Sequence, residues 1–555
     1  YNIIGGTQSA AGNLISGNAD SGLYISGSDH NQVKGNKFGS DISGSSTVPN
    51  AGYGIYINGS STNIIGGAES GAGNLVSGNG VVGVLIGPET SLNNQILGNR
   101  IGTNLSGSSP LPNQIGIGIV KAQETLIGGG DTGTPWVCDG PCNLIGGNSV
   151  YGVVIQGIVG GEETSQSEND RELTGQLNQV QGNFIGTDSA GTSAVSNEAY
   201  GILLDYEANG NLIGGSSVLG EGNLVSGNTR GIVVRGVLTD GNQIAGNRIG
   251  TTSNGNTPLG NDYIGVVILE SASNNIVGGD ESGMGNLISG HHLTYSEEDL
   301  ISHFGLVIET IVEPQAINNQ VVGNLIGTNA AGTTAIPNST GIWLNGLVTD
   351  TVLRDNVVSG NALRGIFLNE ASGNEITDNL IGVSGDGVSS LSNQMGGVVI
   401  RDAQDNILGT GNSIAFHQFG VLLVMPTSLG NTITQNSIYS NDEKQISFFE
   451  DSGDPLLPLP VPAPILTGFD TGTVTGTTCA GCQVEVFANP NAQPAGKTYL
   501  GTATADGGGI FNLVVGTGHI FLSATATNTA GTTSEFSESL QVGTLEFVYL
   551  PLILK

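Results

Sequence analysis

One motif constrains this chain more than any other feature. Gly-h-x-h, with h an aliphatic residue, recurs thirteen times between Gly22 and Gly420. Between its copies run GNLISGN-like segments, first at Asn13 and Asn74, and GN-x-h-G segments, first at Asn36 and Asn99, in strict alternation. From Asn13 to Asn74 is 61 residues and from Asn223 to Asn286 is 63, so the larger unit is a two-rung module, one rung short and the other carrying a longer loop such as IGTNLSGSSPLPN. Each run between turns holds only a few apolar, mostly β-branched residues, well short of the roughly 10 to 12 that a helix needs. These runs are predicted strands. Gly accounts for 92 of the 555 residues, as expected when short strands alternate with tight turns that need positive φ.

Strand, Gly or Asn turn, and strand again in fixed order resembles the pectate-lyase-like right-handed parallel β-helix, in which each coil stacks on the last. The resemblance implies an all-β fold class with about 13–14 rungs over residues 1–450. At about 4.8 Å per rung this makes a rod roughly 65 Å long with an aliphatic core. Asn suits the turns because it tolerates left-handed backbone, and its amide can bond to the Asn of the next rung. Sugar binding by these Asn residues is the functional alternative, but a ladder accounts for their regular placement without a ligand.

Side chains alternate along a strand, so the middle residue of Gly-h-x-h points away from the core. It is apolar at nearly every rung, with Tyr24, Tyr56, Leu85, Trp343 and Phe367 the largest. In register these residues predict a continuous apolar stripe. Either the chain's own C-terminal segment or long loops cover it, or it is a lateral contact between subunits.

After Asp451 the pattern changes to DPLLPLPVPAPIL, whose Pro spacing predicts an extended linker over 451–466. Residues 467–543 then alternate apolar and polar in short runs, the spacing of a small antiparallel β-sandwich. Through CAGCQVEVF and ATNTAGTTSEFS this stretch resembles bacterial immunoglobulin-like modules. That resemblance implies a spacer or adhesive unit. The tail, 544–555, is strongly apolar, with Leu545, Phe547, Tyr549, Leu550, Leu552, Ile553 and Leu554. It is expected to be the last strand of its own sandwich, a strand donated to a neighbour's open edge, or a sorting signal.

Charge narrows the partners. Lys and Arg number 14 against 47 Asp and Glu, a formal net charge of −33, which repels nucleic acid and anionic lipid. An anionic polysaccharide would need bridging divalent cations. The chain contains no apolar run of the roughly 18 residues that suggests a membrane span. Tyr1 lies inside a repeat, so an upstream signal or pro-segment is expected, and with it an extracellular or cell-surface location. The four cysteines fall in two close pairs, Cys138/Cys142 and Cys479/Cys482, read as two small-loop disulfides. A redox pair would want a helix N-terminus, and zinc four converging ligands.

Fold alone does not settle catalysis. Hydrolases of the resembling fold need paired carboxylates on one face, and the lyases need calcium carboxylates with a basic residue. No Asp-Asp pair or clustered Arg meets either need, with Arg230, Arg235 and Arg248 read as solvated rung edges. The insertion HHLTYSEEDLISHF brings His291, His292 and His303 near Glu297, Glu298 and Asp299, a candidate metal site. Calcium could otherwise be held only through scattered turn carboxylates. Three sequons, at Asn58, Asn104 and Asn338, are compatible with glycosylation. The reading is an extracellular, non-enzymatic structural protein, cofactor-free, that polymerises head-to-tail into a fibre or surface layer. The alternative is a carbohydrate-binding or carbohydrate-active surface protein.

Overall fold

In the computed structural model the described residues are 1–543, apart from 9, 88–90, 131–134, 158–174, 292–302, 426, 451–452 and 456–457. Three parallel sheets of 14 strands each form the body of a right-handed β-helix, every strand pairing with the equivalent strand one coil away. One coil contributes one strand to each sheet, in chain order the first sheet (opening with Ile3–Gly5), the second (Leu14–Ile15) and the third (Leu23–Ser26), and the short strands end at Gly or Asn turns that redirect the chain to the next sheet, so that a first, second and third corner precede them. Inward residues from all three sheets, such as Ile96, Ile101 and Ile117, meet in one fully buried aliphatic column.

Three ladders of polar side chains run beside this core, one at each corner. The ladder before the second sheet is Asn at all 14 rungs, from Asn13 to Asn436. At each of its links an Asn Nδ2 donates to the next Asn Oδ1, as from Asn183 to Asn223 at 3.0 Å. The amides thereby satisfy one another where water is excluded.

The motif glycines have a different cause from the one expected. They do not adopt left-handed φ; a Cβ on any of them would stand 2.3–2.8 Å from a carbonyl of the following rung. Close stacking of the coils excludes a side chain there. Turn glycines such as Gly66 (φ 89°) do use the left-handed region.

The C-terminal strands form two small antiparallel sheets, one of three strands and one of four, around Val474, Val484, Val486, Phe511 and Leu522. This immunoglobulin-like sandwich sits on the last coil. Ile438 and Gly496 exchange both backbone hydrogen bonds, at 2.9 and 2.8 Å. Ile433 N–H donates to Thr533 Oγ1 (2.9 Å), Gln435 N–H to Glu485 Oε2 (2.9 Å), and Lys444 pairs with Glu535 at 2.7 Å. The Pro-rich stretch is seated on both bodies: Leu459 packs on the β-helix core and Val461 is buried in that of the sandwich.

Candidate functional site on the outer face of the third sheet

The strands of the third sheet are the longest, up to seven residues, and their register sets three outward residues per coil in columns. The middle column is the predicted stripe. It is not continuously exposed: Leu203, Val233 and Val267 are each 1% accessible, packed with Tyr151, Tyr200, Ile264 and Leu269. Large flanking side chains close over the smaller ones between them. Of the residues expected to mediate self-association, Tyr24 is 55% exposed and stacks on Tyr56 at 4.9 Å, while Tyr56, Leu85, Trp343 and Phe367 are half-buried. The tail residues expected to take part, Leu545 to Leu554, lie outside the described residues.

Toward the C-terminal half the face gains a distinct character. Phe304 and Trp343 have ring centroids 4.7 Å apart, and Trp343 and Phe367 lie near-parallel at 6.1 Å. The Arg364 guanidinium sits 4.8 Å from the Phe367 ring centre. Beside the aromatics runs a polar column, Glu309, Asn345, Asn369 and Arg401, on successive strands. Asn345 Nδ2 donates to Glu309 Oε2 (2.6 Å), and Asn369 Nδ2 donates to Asn345 Oδ1 (2.9 Å). A cleft of about 320 Å³ opens where Glu309 meets Leu269, Glu270, Ile311 and Glu313. Near-parallel Trp343 and Phe367 rings edged by amide and carboxylate groups can hold a sugar ring by its apolar face and its hydroxyls by hydrogen bonds. The polar column was readable from the alternation that gave the middle residue, because it lies two positions further along each strand. What the sequence does not show is which coils leave it accessible.

Arg235 pairs with the buried Asp205, which holds the guanidinium above its ordinary pKa. Arg230 donates to Tyr200 OH at 3.1 Å. Arg248 lies 3.9 Å from the Trp136 ring, and burial pushes its pKa down to about 10. None of the three is a solvated rung edge.

Cys138–Cys142 and Cys479–Cys482 are disulfide-bonded. Asn58 is half-buried, and Asn104 Oδ1 accepts from Ser108 N–H at 3.0 Å. Asn338 is fully buried and donates to Asn361 Oδ1 (3.0 Å), so it is corrected from a glycan acceptor to a ladder member.

The metal candidates do not assemble. His292, Glu297, Glu298 and Asp299 lie outside the described residues. His291 is fully buried in the third ladder, where its Nδ1 accepts from Asn261 N–H (3.2 Å), and His303 stacks on Tyr263 at 6.0 Å. Among the described residues no group of three His, Cys, Asp or Glu side chains is placed to hold a metal, calcium included. No helix among them is long and apolar enough to cross a membrane.

Residues 256–447 match the family model described as periplasmic copper-binding protein (NosD). The described residues of this stretch do not fit copper, since His291 and His417 are both spent as ladder members. No curated protein matches the chain. Among solved structures the chain is similar to a periplasmic alginate epimerase, AlgG (13% identity, 76% of this chain and 77% of that one, TM-score 0.30). It is similar also to the enzymatically active domain of a bacteriophage CBA120 tailspike protein (8%, 85% and 72%, 0.29). A third is PfbA, a surface adhesin of Streptococcus pneumoniae (12%, 82% and 86%, 0.29).

The expectation of a non-enzymatic chain is corrected by this set, which includes an epimerase and an enzymatically active tailspike domain. Two disulfides are the bonds expected of a chain in an oxidising compartment. The chain is a parallel β-helix of three 14-stranded sheets carrying two small antiparallel sheets at its C-terminal end.

Proposed function

We propose that this protein recognises glycans at the cell surface, holding a saccharide on the outer face of the third sheet. The observation that carries this is the Phe304–Trp343–Phe367 row lying beside the hydrogen-bonded column Glu309–Asn345–Asn369. Sugar rings offer apolar C–H faces and hydroxyl edges, and this surface offers a partner for each. The test is a glycan array probed with the full chain, with reducing-end and unsaturated products assayed in the same samples. Trp343→Ala should weaken binding by about tenfold or more while leaving the melting temperature within a few degrees. Binding that Trp343→Ala and Asn369→Ala leave intact would remove this face from consideration.

A fibre is the second reading. It is supported by the exposed Tyr24–Tyr56 pair at the first coils and by the apolar composition of residues 545–555. The last coil carries the sandwich, so a head-to-tail contact would have to run through the tail or the sandwich itself. Electron microscopy of the full chain against one lacking residues 545–555 separates the two, since tail-dependent filaments are expected only from a polymer.

A further inference from the structure

A different face carries a ligand reading of its own. The register of the first sheet sets one outward residue per coil in a column, and amide and aliphatic residues alternate along it without a break. It runs from Gln32 and Ile64, through Gln95 and Leu126, to Gln320 and Val352. Each of these keeps exposed surface. The core does not demand the pattern, because inward neighbours such as Ile96 and Ile127 already fill the interior. The two-rung module explains the period but not the choice of an uncharged amide in a chain of net charge −33.

Part of this column is hollowed into a groove of about 780 Å³, lined by Thr62, Asn93, Gln95, Glu124, Leu126 and Leu177 together with Gln179. Thr62, Asn93, Glu124 and Leu177 all adopt left-handed φ of 54–57°, and they border the column on one side. The groove therefore offers amides and hydroxyls that both donate and accept, next to aliphatic patches. One carboxylate, Glu124, is among its lining residues.

We infer that this face binds an uncharged, extended β-1,4-linked hexose chain running parallel to the rod. The amides recur every two coils, roughly 9.6 Å, which is close to the two-residue repeat of such a chain. Successive dimers then meet the same amide, with a pyranose face on each aliphatic residue between. Charge selects the class: the protein's negative field repels a polyuronate, and hydroxyls need no counter-charge. The site is independent of the third-sheet face.

The test is co-sedimentation of the full chain with microcrystalline cellulose, with calcium-free pectate gel as the anionic comparison. The wild-type protein should be retained on cellulose and not on pectate. The double variant Gln95→Ala/Gln179→Ala should bind about tenfold or more weakly at an unchanged melting temperature, and Val514→Ala, at an exposed position of the C-terminal sandwich, should bind as wild type. Gln179→Glu, which adds charge at an exposed position, should weaken retention in the same way. Failure of the wild-type protein to bind cellulose, equal retention of both groove variants, or preference for pectate would overturn the inference. Gln243 is left intact because its Nε2 donates to the Gly278 carbonyl at 3.0 Å, a tie to the adjacent turn.

Discussion

His291 and His417 stand in the third ladder at places that Asn fills in most other coils. His417 Nδ1 lies 3.2 Å from the Asn393 N–H and 2.8 Å from the Asn393 carbonyl, and its Nε2 lies 3.1 Å from the Ile381 carbonyl. Burial drives both imidazoles toward the neutral form, His291 down to about 3 from an ordinary 6.5, and His417 in the same direction. The sign follows: the folded state binds fewer protons than the unfolded chain, so stability from this source is complete above pH 6.5 and is lost as pH falls toward the folded value. The loss is on the order of a few kcal/mol for a fully buried histidine. The melting temperature of the double variant His291→Asn/His417→Asn should therefore fall several degrees less than that of the wild-type protein between pH 7.5 and pH 4.5. Parallel pH profiles for both proteins would remove the two histidines from the acid response. Along the sequence His291 adjoins His292 and an acidic run and so reads as a ligand. Its ladder partners are 30 and 47 residues away, a distance that only the coil lengths reveal.

At the scale of an element, the ladder before the second sheet works as a unit because every interior member is both donor and acceptor. Asn183 Nδ2 donates to the Ile127 and Gln181 carbonyls and to Asn223 Oδ1, while its own Oδ1 accepts from Asn143 Nδ2 at 2.9 Å. Asn183→Ala strands partners on both sides, at roughly 1–3 kcal/mol for each buried group left unpaired. Asn13, exposed at the end of the ladder, has a neighbour on one side only, so Asn13→Ala should cost about 1 kcal/mol or less. Urea unfolding midpoints check this, and equal shifts for the two variants would mean that the ladder contributes nothing cooperative. The strands and ladders were legible because Gly-h-x-h and GN recur with the period of the coil. The alternating amide column of the first sheet was equally present in the sequence. It becomes apparent only once variable loop lengths are removed and Gln95 is set beside Leu126.

Over the whole molecule, the last coil presents the problem of any open parallel sheet: unpaired backbone groups that template association. In this chain the sandwich meets part of that need, through the paired bonds of Ile438 with Gly496, the Thr533 hydroxyl at Ile433, and Glu485 at Gln435. Neither the Pro-rich stretch nor the alternation of residues 467–543 reveals this docking, since both read equally well as a tethered, independent module. The contact depends on side chains such as Glu485 and Thr533 that no local pattern marks. If the sandwich is a cap, a chain ending at Glu450 loses more than a domain. It exposes the edges of Ile433 and Ile438 and uncovers core surface now packed by Leu459 and Phe536. The shortened chain should melt several degrees lower and associate in a concentration-dependent way in analytical ultracentrifugation, whereas Lys444→Ala, which removes one exposed ion pair worth about 1 kcal/mol or less, should leave the monomer intact. A shortened chain that stays monomeric with the melting temperature of the β-helix in the full protein would make the sandwich a passenger on a rod that closes itself.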